Sequence, residues 1–262
     1  MPTDLDHVAL ATRDAGPAVR MLAGELGGLV LFGGQARGFR PMQVLLGDET
    51  AGMRVELLEP WDTAANDFLE RFLARHGDGP HHLTFKVDSL GNTIERLRSA
   101  GYRPVNVDHS DPDWQEAFLL PREAHGTVVQ LAQTVHQFAT ESGFLDHVRR
   151  HGADGHPKWW TDPPPPGDRR GVLERVVMRT PSLDTAIAFF AGMLGGDVEQ
   201  ADDHHADLVW PGGSRIRIEV RTEVHTETQQ PGIERLEGLV FGGVGDPVEM
   251  EVAGARLVLA PA

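Results

Sequence analysis

Hydrophobic and polar residues alternate in four short segments of the N-terminal half of the chain. These segments are residues 5–12 (LDHVALAT), 53–60 (MRVELLEP), 81–88 (HHLTFKVD) and 126–133 (GTVVQLAQ). A period of two residues is typical of a strand that turns one face toward the core. The pattern therefore predicts four strands, each with an apolar face and a face that carries polar side chains.

Polar residues on these second faces repeat along the chain. They are His7, Glu56, His82 and Gln130; His82 follows His7 by 75 residues and Gln130 follows Glu56 by 74. Repetition at a fixed spacing indicates two copies of one structural unit. Exposure to solvent is the usual fate of polar residues on an alternating strand. Four metal-ligand residue types at matched positions instead favour convergence on a metal ion. Alternation assigns the neighbouring His81 to the packing side.

A helix pattern follows the first strand of each copy, at residues 14–28 and 88–102, with an Asp or Ser cap before it and a Gly at its end. Each unit is thus a strand, a helix and two or three further strands. A third copy begins at residues 173–196, and the last 31 residues indicate a truncated fourth copy without a helix.

Three regions follow from this pattern. Residues 1–134 are predicted to form a metal-binding domain of paired units, and residues 135–171 a linker with a short helix and a Pro-rich stretch. Residues 172–262 are predicted to form a degenerate domain, because Arg175 stands where the third copy should supply a histidine. We expect this half to be non-catalytic and to buttress the first half, close one side of its pocket or form a homodimer.

Composition excludes several classes of function. The net charge of −15 leaves no broad basic surface for nucleic acid or an anionic membrane. The chain has no cysteine, which excludes disulfides, thiolate catalysis and Cys-based metal sites. It enters a strand pattern at once, without a basic and apolar leader, and it has no membrane-length apolar run. The predicted location is the cytoplasm.

The four polar residues suit a divalent ion. Two imidazoles, one carboxylate and one amide oxygen are ligands for Zn, Ni, Co, Mn or Fe(II), with room left for substrate oxygens. Since the set carries one negative charge, a bound ion keeps the net positive charge that polarising a carbonyl or stabilising an enediolate requires. No residue is predicted to bind an organic cofactor.

The N-terminal half resembles the vicinal oxygen chelate superfamily of glyoxalases, bleomycin resistance proteins and dioxygenases. Residues 4–134 are most similar to methylmalonyl-CoA epimerases, through LDHVALATRD, VELLEPW, FLERFLARHGDGPHHLTFKVDSL and GTVVQLAQ. The resemblance implies an α+β fold of tandem βαβββ modules that form cupped mixed sheets, in two paired-module domains of which the second is degenerate. It also implies that the metal ligands are His7, Glu56, His82 and Gln130.

Two positions depart from the epimerase pattern. Gln130 stands where these proteins usually have a Glu ligand, and Gln43 is the best match to their proton-transfer Glu. An amide cannot take up a proton at neutral pH. In glyoxalase I, by resemblance, a metal-bound Glu serves as the base, and Glu56 is the only carboxylate of the set that could do so.

The expected function is therefore that of a metal-dependent lyase or isomerase, glyoxalase-like or epimerase-like, with Glu56 as its catalytic residue. Its partner would be a small oxygenated substrate, and its reaction would proceed by proton transfer or through a metal-stabilised enediolate. Two alternatives stay open. One is an Fe(II) dioxygenase of the same superfamily, with His7, His82 and Glu56 on the iron. The other is a non-catalytic protein that binds a drug or metabolite.

Overall fold

The structure is a computed structural model, and it describes residues 3–47, 52–134, 170–220, 234–243 and 247–260. Apart from residues 170 and 171, the predicted linker lies outside the described residues. The domain boundaries expected from the sequence stay a prediction.

The first of two mixed sheets has eight strands. They are β1 (Asp4–Ala11), β2 (Leu29–Gly33), β3 (Gly38–Gly47), β4 (Gly52–Trp61), β5 (Gly79–Lys86), β6 (Val105–Asp108), β7 (Gln115–Leu119) and β8 (Val128–Gln133). Their order in the sheet is β2-β3-β4-β1-β5-β8-β7-β6. β1 runs parallel to β4, and β5 runs parallel to β8. The first and last strands of each predicted unit are therefore direct neighbours, which brings their polar faces side by side.

The second sheet has seven strands and repeats the arrangement. They are β9 (Val172–Thr180), β10 (Asp197–Ala201), β11 (His205–Val209), β12 (Arg215–Val220), β13 (Arg235–Gly242), β14 (Val248–Val252) and β15 (Ala255–Leu259). Their order is β10-β11-β12-β9-β13-β15-β14. β9 runs parallel to β12, and β13 runs parallel to β15. Two mixed sheets with few helices confirm the predicted α+β class.

In the described residues, four helices accompany these strands. α1 (Gly16–Val19) continues as a π-helical turn over Arg20–Glu25; α2 spans Phe68–His76 and α3 spans Leu90–Ser99; α4 (Leu183–Ile187) continues as a π-helical turn over Ala188–Met193. The Ser89 hydroxyl caps α3 by accepting a hydrogen bond from the Asn92 backbone N–H at 3.3 Å. Because α1, α3 and α4 each follow the first strand of a copy, the predicted strand–helix repeat is confirmed. Every helix of the described residues falls short of the length and apolarity that crossing a membrane requires.

The described chain packs as two compact units. One contains residues 3–6, 82–134, 175–220 and 234–237; the other contains residues 7–47, 52–81, 170–174, 238–243 and 247–260.

Each unit has its own buried apolar residues. In the first, the ring centroids of Phe85 and Trp210 lie 5.3 Å apart, and the Trp210 indole N–H donates to the Leu194 carbonyl at 2.9 Å. In the second, a buried cluster joins α2 to β1 and β4; it consists of Ala9, Ala11, Leu58, Leu69 and Leu73. The contact between Phe85 and Trp210 thus joins residues of the second and third copies. The buried cluster around α2 belongs to the first copy.

Candidate metal site

Three of the four predicted ligands come together in the first sheet. His7 lies on β1, Glu56 on β4 and His82 on β5, and one ligand atom of each lies within 4.8 Å of the other two. Their exposed fractions are only 1%, 9% and 6%. Among the described residues this is the one group of three such side chains close enough to hold a metal ion.

The pairing of β1 with β4 explains the approach of His7 to Glu56. Ala9 lies opposite Glu56 in the parallel pair, so His7, two residues earlier, shares its face of the sheet at a diagonal position. His7 Nε2 lies 3.4 Å from Glu56 Oε2. On the other side of β4, Gln43 of β3 lies directly opposite Glu56, and its amide Nε2 donates to Glu56 Oε1 at 3.2 Å. The two carboxylate oxygens of Glu56 therefore face different partners.

These donors fit a divalent ion. Nitrogen and oxygen ligands lie about 2.0–2.2 Å from Zn²⁺, so two ligand atoms on one ion are at most about 4.4 Å apart. The His7–Glu56 distance of 3.4 Å is within that limit. The 4.8 Å bound on the whole group slightly exceeds it, so side-chain adjustments of well under about 1 Å would suffice. A buried carboxylate also needs compensation for the water it has lost, and a cation supplies this.

Helix α2 covers the same face of the sheet next to this group. Ala9 and Ala11 share the face of His7 on β1 because side chains alternate, and Leu58 shares the face of Glu56 on β4. All three belong to the buried cluster that includes Leu69 and Leu73 of α2. This apolar neighbour keeps water from one side of His7 and Glu56, which strengthens electrostatic interactions there.

His81 packs against α2, and its assignment to the side opposite His82 stays a prediction. Its ring lies 4.6 Å from that of Phe72 and 6.0 Å from that of Phe68 by centroid. Burial lowers the pKa of His81 from 6.5 to about 4, with Glu56 opposing the shift and His76 adding to it. The imidazole is therefore neutral at pH 7, as an aromatic environment favours.

Gln130, the fourth predicted ligand, takes part in a chain of hydrogen bonds. It lies opposite Thr84 in the pairing of β5 with β8, and its Oε1 accepts from the Thr84 hydroxyl at 2.6 Å. Its Nε2 donates to Glu116 Oε2 at 2.6 Å, and the same carboxylate oxygen accepts from the Trp114 indole N–H at 3.0 Å. A carbonyl oxygen has a second lone pair, so Oε1 retains the capacity for one more partner. Its role as a ligand stays a prediction.

Thr84 was not singled out from the sequence, although alternation places it on the face of His82. The sequence marks Glu116 only as a possible acid beside the ligands and does not predict its bond to Gln130, because the two are 14 residues apart and only the pairing of β7 with β8 brings them together.

The second sheet carries different residues at the equivalent positions. The Thr12 and Thr180 hydroxyl oxygens each accept a hydrogen bond from the backbone N–H two residues later, at 3.2 and 3.1 Å, which aligns β1 with β9 and Arg175 with His7. The partner of Val177 on β12 is Arg217, so Arg217 stands at the position of Glu56.

Asp207 of β11 lies opposite Arg217, at the position that Gln43 has in the first sheet. Arg217 donates from Nε at 2.8 Å and from Nη2 at 2.6 Å to the two oxygens of Asp207. Arg175 Nη1 lies 3.9 Å from the same carboxylate. The paired hydrogen bonds from Arg217 hold the pKa of Asp207 below its usual range. The second sheet therefore has an ion pair where the first has the candidate ligands.

Comparisons with known proteins agree with this description. Residues 6–118 match the model of the Glyoxalase/Bleomycin resistance protein/Dioxygenase superfamily. A search of curated proteins finds no match to the chain. A hypothetical protein from Staphylococcus aureus shares the fold, at 12% identity over 100% of both chains and a TM-score of 0.64.

Shorter likenesses are found to two epimerases. Methylmalonyl-CoA epimerase from Mycobacterium tuberculosis is 24% identical over 50% of this chain and 88% of that one, with a TM-score of 0.44. A variant of the Streptomyces coelicolor enzyme in complex with 2-nitronate-propionyl-CoA is 22% identical over 52% and 97%, with a TM-score of 0.46. The family model by itself shows that residues 6–118 of this chain carry a domain of the Glyoxalase/Bleomycin resistance protein/Dioxygenase superfamily.

Proposed function

We propose that the protein is a divalent-metal-dependent lyase or isomerase of the vicinal oxygen chelate type. The observation that carries the proposal is the buried group of His7, Glu56 and His82, which combines three metal-ligand side chains. The superfamily match over residues 6–118 supports the same conclusion. Its substrate would be a small molecule with a carbonyl group and a neighbouring oxygen.

The ion would be Zn, Ni, Co, Mn or Fe(II), and His7, Glu56, His82 and Gln130 would hold it. Such an ion supplies Lewis-acid polarisation of a substrate carbonyl, which lowers the pKa of the adjacent C–H bond. Glu56 is the only charged member of this set, so it does not cancel the charge of a divalent cation.

Glu56 would move the proton. Its Oε2 faces His7 at 3.4 Å, on the side where the ion would be shared, and its Oε1 faces Gln43. We assign the proton to Oε1. Gln43 is an amide and donates to that oxygen at 3.2 Å, so it orients the carboxylate without competing for the proton.

One carboxylate favours an isomerase or lyase reaction over a two-base epimerisation. Inverting a carbon requires that a proton leave one face and return to the other, which two groups perform most directly. With Gln43 at the position that resembles the epimerase base, Glu56 alone can remove a proton and return it to a neighbouring atom on the same face. We therefore expect an α-hydroxycarbonyl substrate in preference to a branched thioester.

Isotope exchange tests the proposal. Purified protein is stripped with a chelator, reloaded with each ion in turn and incubated with α-hydroxycarbonyl compounds in D₂O. Proton NMR should show loss of the substrate α-proton signal with at least one ion and none with stripped protein. Glu56→Gln should abolish exchange, whereas the control Glu219→Gln, a carboxylate of β12, should retain it. Absence of exchange with every loaded ion would overturn the proposal.

An Fe(II) oxygenase is a second candidate, because two histidines and one carboxylate are also the ligand set of many non-haem iron oxygenases. Oxygen uptake that requires iron and is not supported by zinc would identify it. If the loaded protein binds its ligands with neither proton exchange nor oxygen uptake, it acts as a binding protein.

A further inference from the structure

We propose that Glu116 is a positioning residue that sets which end of the Gln130 amide faces the metal site. This inference rests on the proposed function, since it concerns a ligand of the proposed ion. Glu116 lies on β7, Gln130 on β8 and Thr84 on β5, and these three strands are neighbours in the order β5-β8-β7. Gln130 is thus held between one partner on each side.

The chemistry of the partners decides the orientation of the amide. Thr84 can donate or accept through its hydroxyl, so it accommodates either end of an amide. An ionised carboxylate only accepts, so Glu116 requires the NH₂ end of Gln130 on the β7 side. The observed bond from Gln130 Nε2 to Glu116 Oε2 is short, at 2.6 Å. The amide oxygen must then face β5, the strand that carries His82.

Trp114 holds the carboxylate in place. An indole N–H can only donate, and Trp114 Nε1 donates to Glu116 Oε2 at 3.0 Å. Two donors on one oxygen fix the position of the carboxylate. All hydrogen bonds of this series are therefore directed toward Glu116: Trp114 and Gln130 donate to its carboxylate, and Thr84 donates to the amide oxygen of Gln130.

Glu116 itself lies outside the group of His7, Glu56 and His82 whose ligand atoms approach within 4.8 Å. Its carboxylate already serves two N–H groups. Its effect on the ion is therefore expected to pass through Gln130. Residues that orient a metal ligand contribute about 10- to 100-fold to metal affinity when removed.

Calorimetric titration of the stripped full chain with Zn²⁺ tests this role. Glu116→Leu removes the acceptor and should weaken Zn²⁺ binding about 10- to 100-fold. Glu116→Gln keeps a carbonyl oxygen that can accept both N–H groups, so it should bind close to the wild-type level. Gln115→Ala is the matched control, because Gln115 lies on the same strand and bonds to the exposed His109 instead.

A double-mutant cycle separates positioning from a general structural effect. In a Gln130→Leu background, Glu116→Leu should cause no further loss of Zn²⁺ affinity, because the ligand that it orients is gone. A purely structural role would give the same loss in both backgrounds. The Co²⁺-loaded protein offers a second readout, since its visible absorption spectrum should change in Glu116→Leu and stay unchanged in Glu116→Gln.

The outcomes are distinguishable from failure of the proposed function. If the wild-type chain binds no Zn²⁺ or Co²⁺, the metal site itself is wrong. If it binds and Glu116→Leu has no effect, or has the same effect without Gln130, the positioning role is wrong. If Glu116→Gln binds as weakly as Glu116→Leu, Glu116 is a ligand in its own right. Should Glu116→Leu fail to fold, Trp114→Phe, which frees the carboxylate, replaces it in the same cycle.

Discussion

The two sheets place opposite chemistry at equivalent positions. With neutral imidazoles, the first sheet has one negative charge at these positions, on Glu56 beside His7. The second has Arg217 and Arg175 around the single carboxylate of Asp207, and so a net positive charge. Buried polar groups must be satisfied. At these positions the second sheet pairs charged side chains with one another, whereas the first brings together two imidazoles and one carboxylate, which are metal-ligand side chains.

Contacts that build the scaffold are the same in both sheets. The Thr12 hydroxyl donates to Asp78 at 2.7 Å, and the Thr180 hydroxyl donates to Glu234 at 3.1 Å. Thus the repeat is preserved where the strands are joined and altered where the candidate ligands lie. The difference between the sheets therefore concerns chemistry at a few side chains and leaves their architecture alike.

The largest expected effect separates the two sheets at matched positions. Glu56→Gln removes the charged ligand at constant size, and we expect it to weaken Zn²⁺ binding by more than about 100-fold, beyond the loss of an orienting residue alone. Arg217→Gln, at the equivalent position of the second sheet, should leave Zn²⁺ affinity unchanged. Calorimetry and elemental analysis of both variants measure this. Equal losses would show that the two positions are not functionally different.

The next largest effect, on the free energy of unfolding, tests whether the two sheets share the same backbone architecture. Gly126 and Gly254 both have positive φ, and a Cβ on either would collide with a backbone carbonyl, of Glu234 and Asp78 respectively. Substituting either glycine with Ala should lower the free energy of unfolding by about 2–4 kcal/mol. Urea unfolding measures the change.

Gly91→Ala is the matched control for these glycines. Gly91 lies in α3, and a Cβ there would have no atom within 4 Å. Alanine is the better helix former, so this variant should gain about 0.5–1 kcal/mol. A neutral result for only one of Gly126→Ala and Gly254→Ala would break the equivalence of the two scaffolds.

A smaller effect is expected from the ion pair of the second sheet. Asp207→Asn removes the charge that Arg217 binds, and should lower the free energy of unfolding by about 1–2 kcal/mol at pH 7, since solvent reaches 30% of the Arg217 side chain. Because Arg217 depresses the pKa of Asp207, this stabilisation is complete above the ordinary Asp pKa of about 4 and is lost as the pH falls from there through the lower folded pKa. Unfolding free energies of the two proteins should therefore converge in acid. A constant difference down to the lowest pH would contradict the ion-pair assignment.

The smallest effect distinguishes the adjacent histidines. His81 is neutral and packed against Phe68 and Phe72, so His81→Phe should change the free energy of unfolding by less than about 1.5 kcal/mol and leave Zn²⁺ affinity intact. The matched variant His82→Phe, at the candidate ligand, should instead weaken Zn²⁺ binding about as much as Glu56→Gln does. Loss of binding in both variants would show that the face assignment of the pair is wrong.

Much of the candidate site follows from local pattern. The side-chain period of a strand placed His82 and not His81 on the polar face, and the 75-residue repeat paired it with His7. Both inferences depend on backbone geometry that is nearly independent of context. Helix α2 was not predicted, because its nine residues are short and its apolar positions, such as Leu69 and Leu73, acquire meaning only against β1 and β4.

By itself, the sequence determined the class of the fold and the strand–helix repeat, and it predicts that His7, Glu56 and His82 share a polar face. Tertiary structure alone decided that Gln43 donates a hydrogen bond to Glu56, and that Gln130 bonds to Glu116 and Thr84. It also decided that the ion pair of Arg217 and Asp207 stands in the second sheet at the positions of Glu56 and Gln43. The physical reason is that alternation is a property of each strand, whereas hydrogen-bond partners depend on strand order and register. Those are set by packing between segments far apart in the chain.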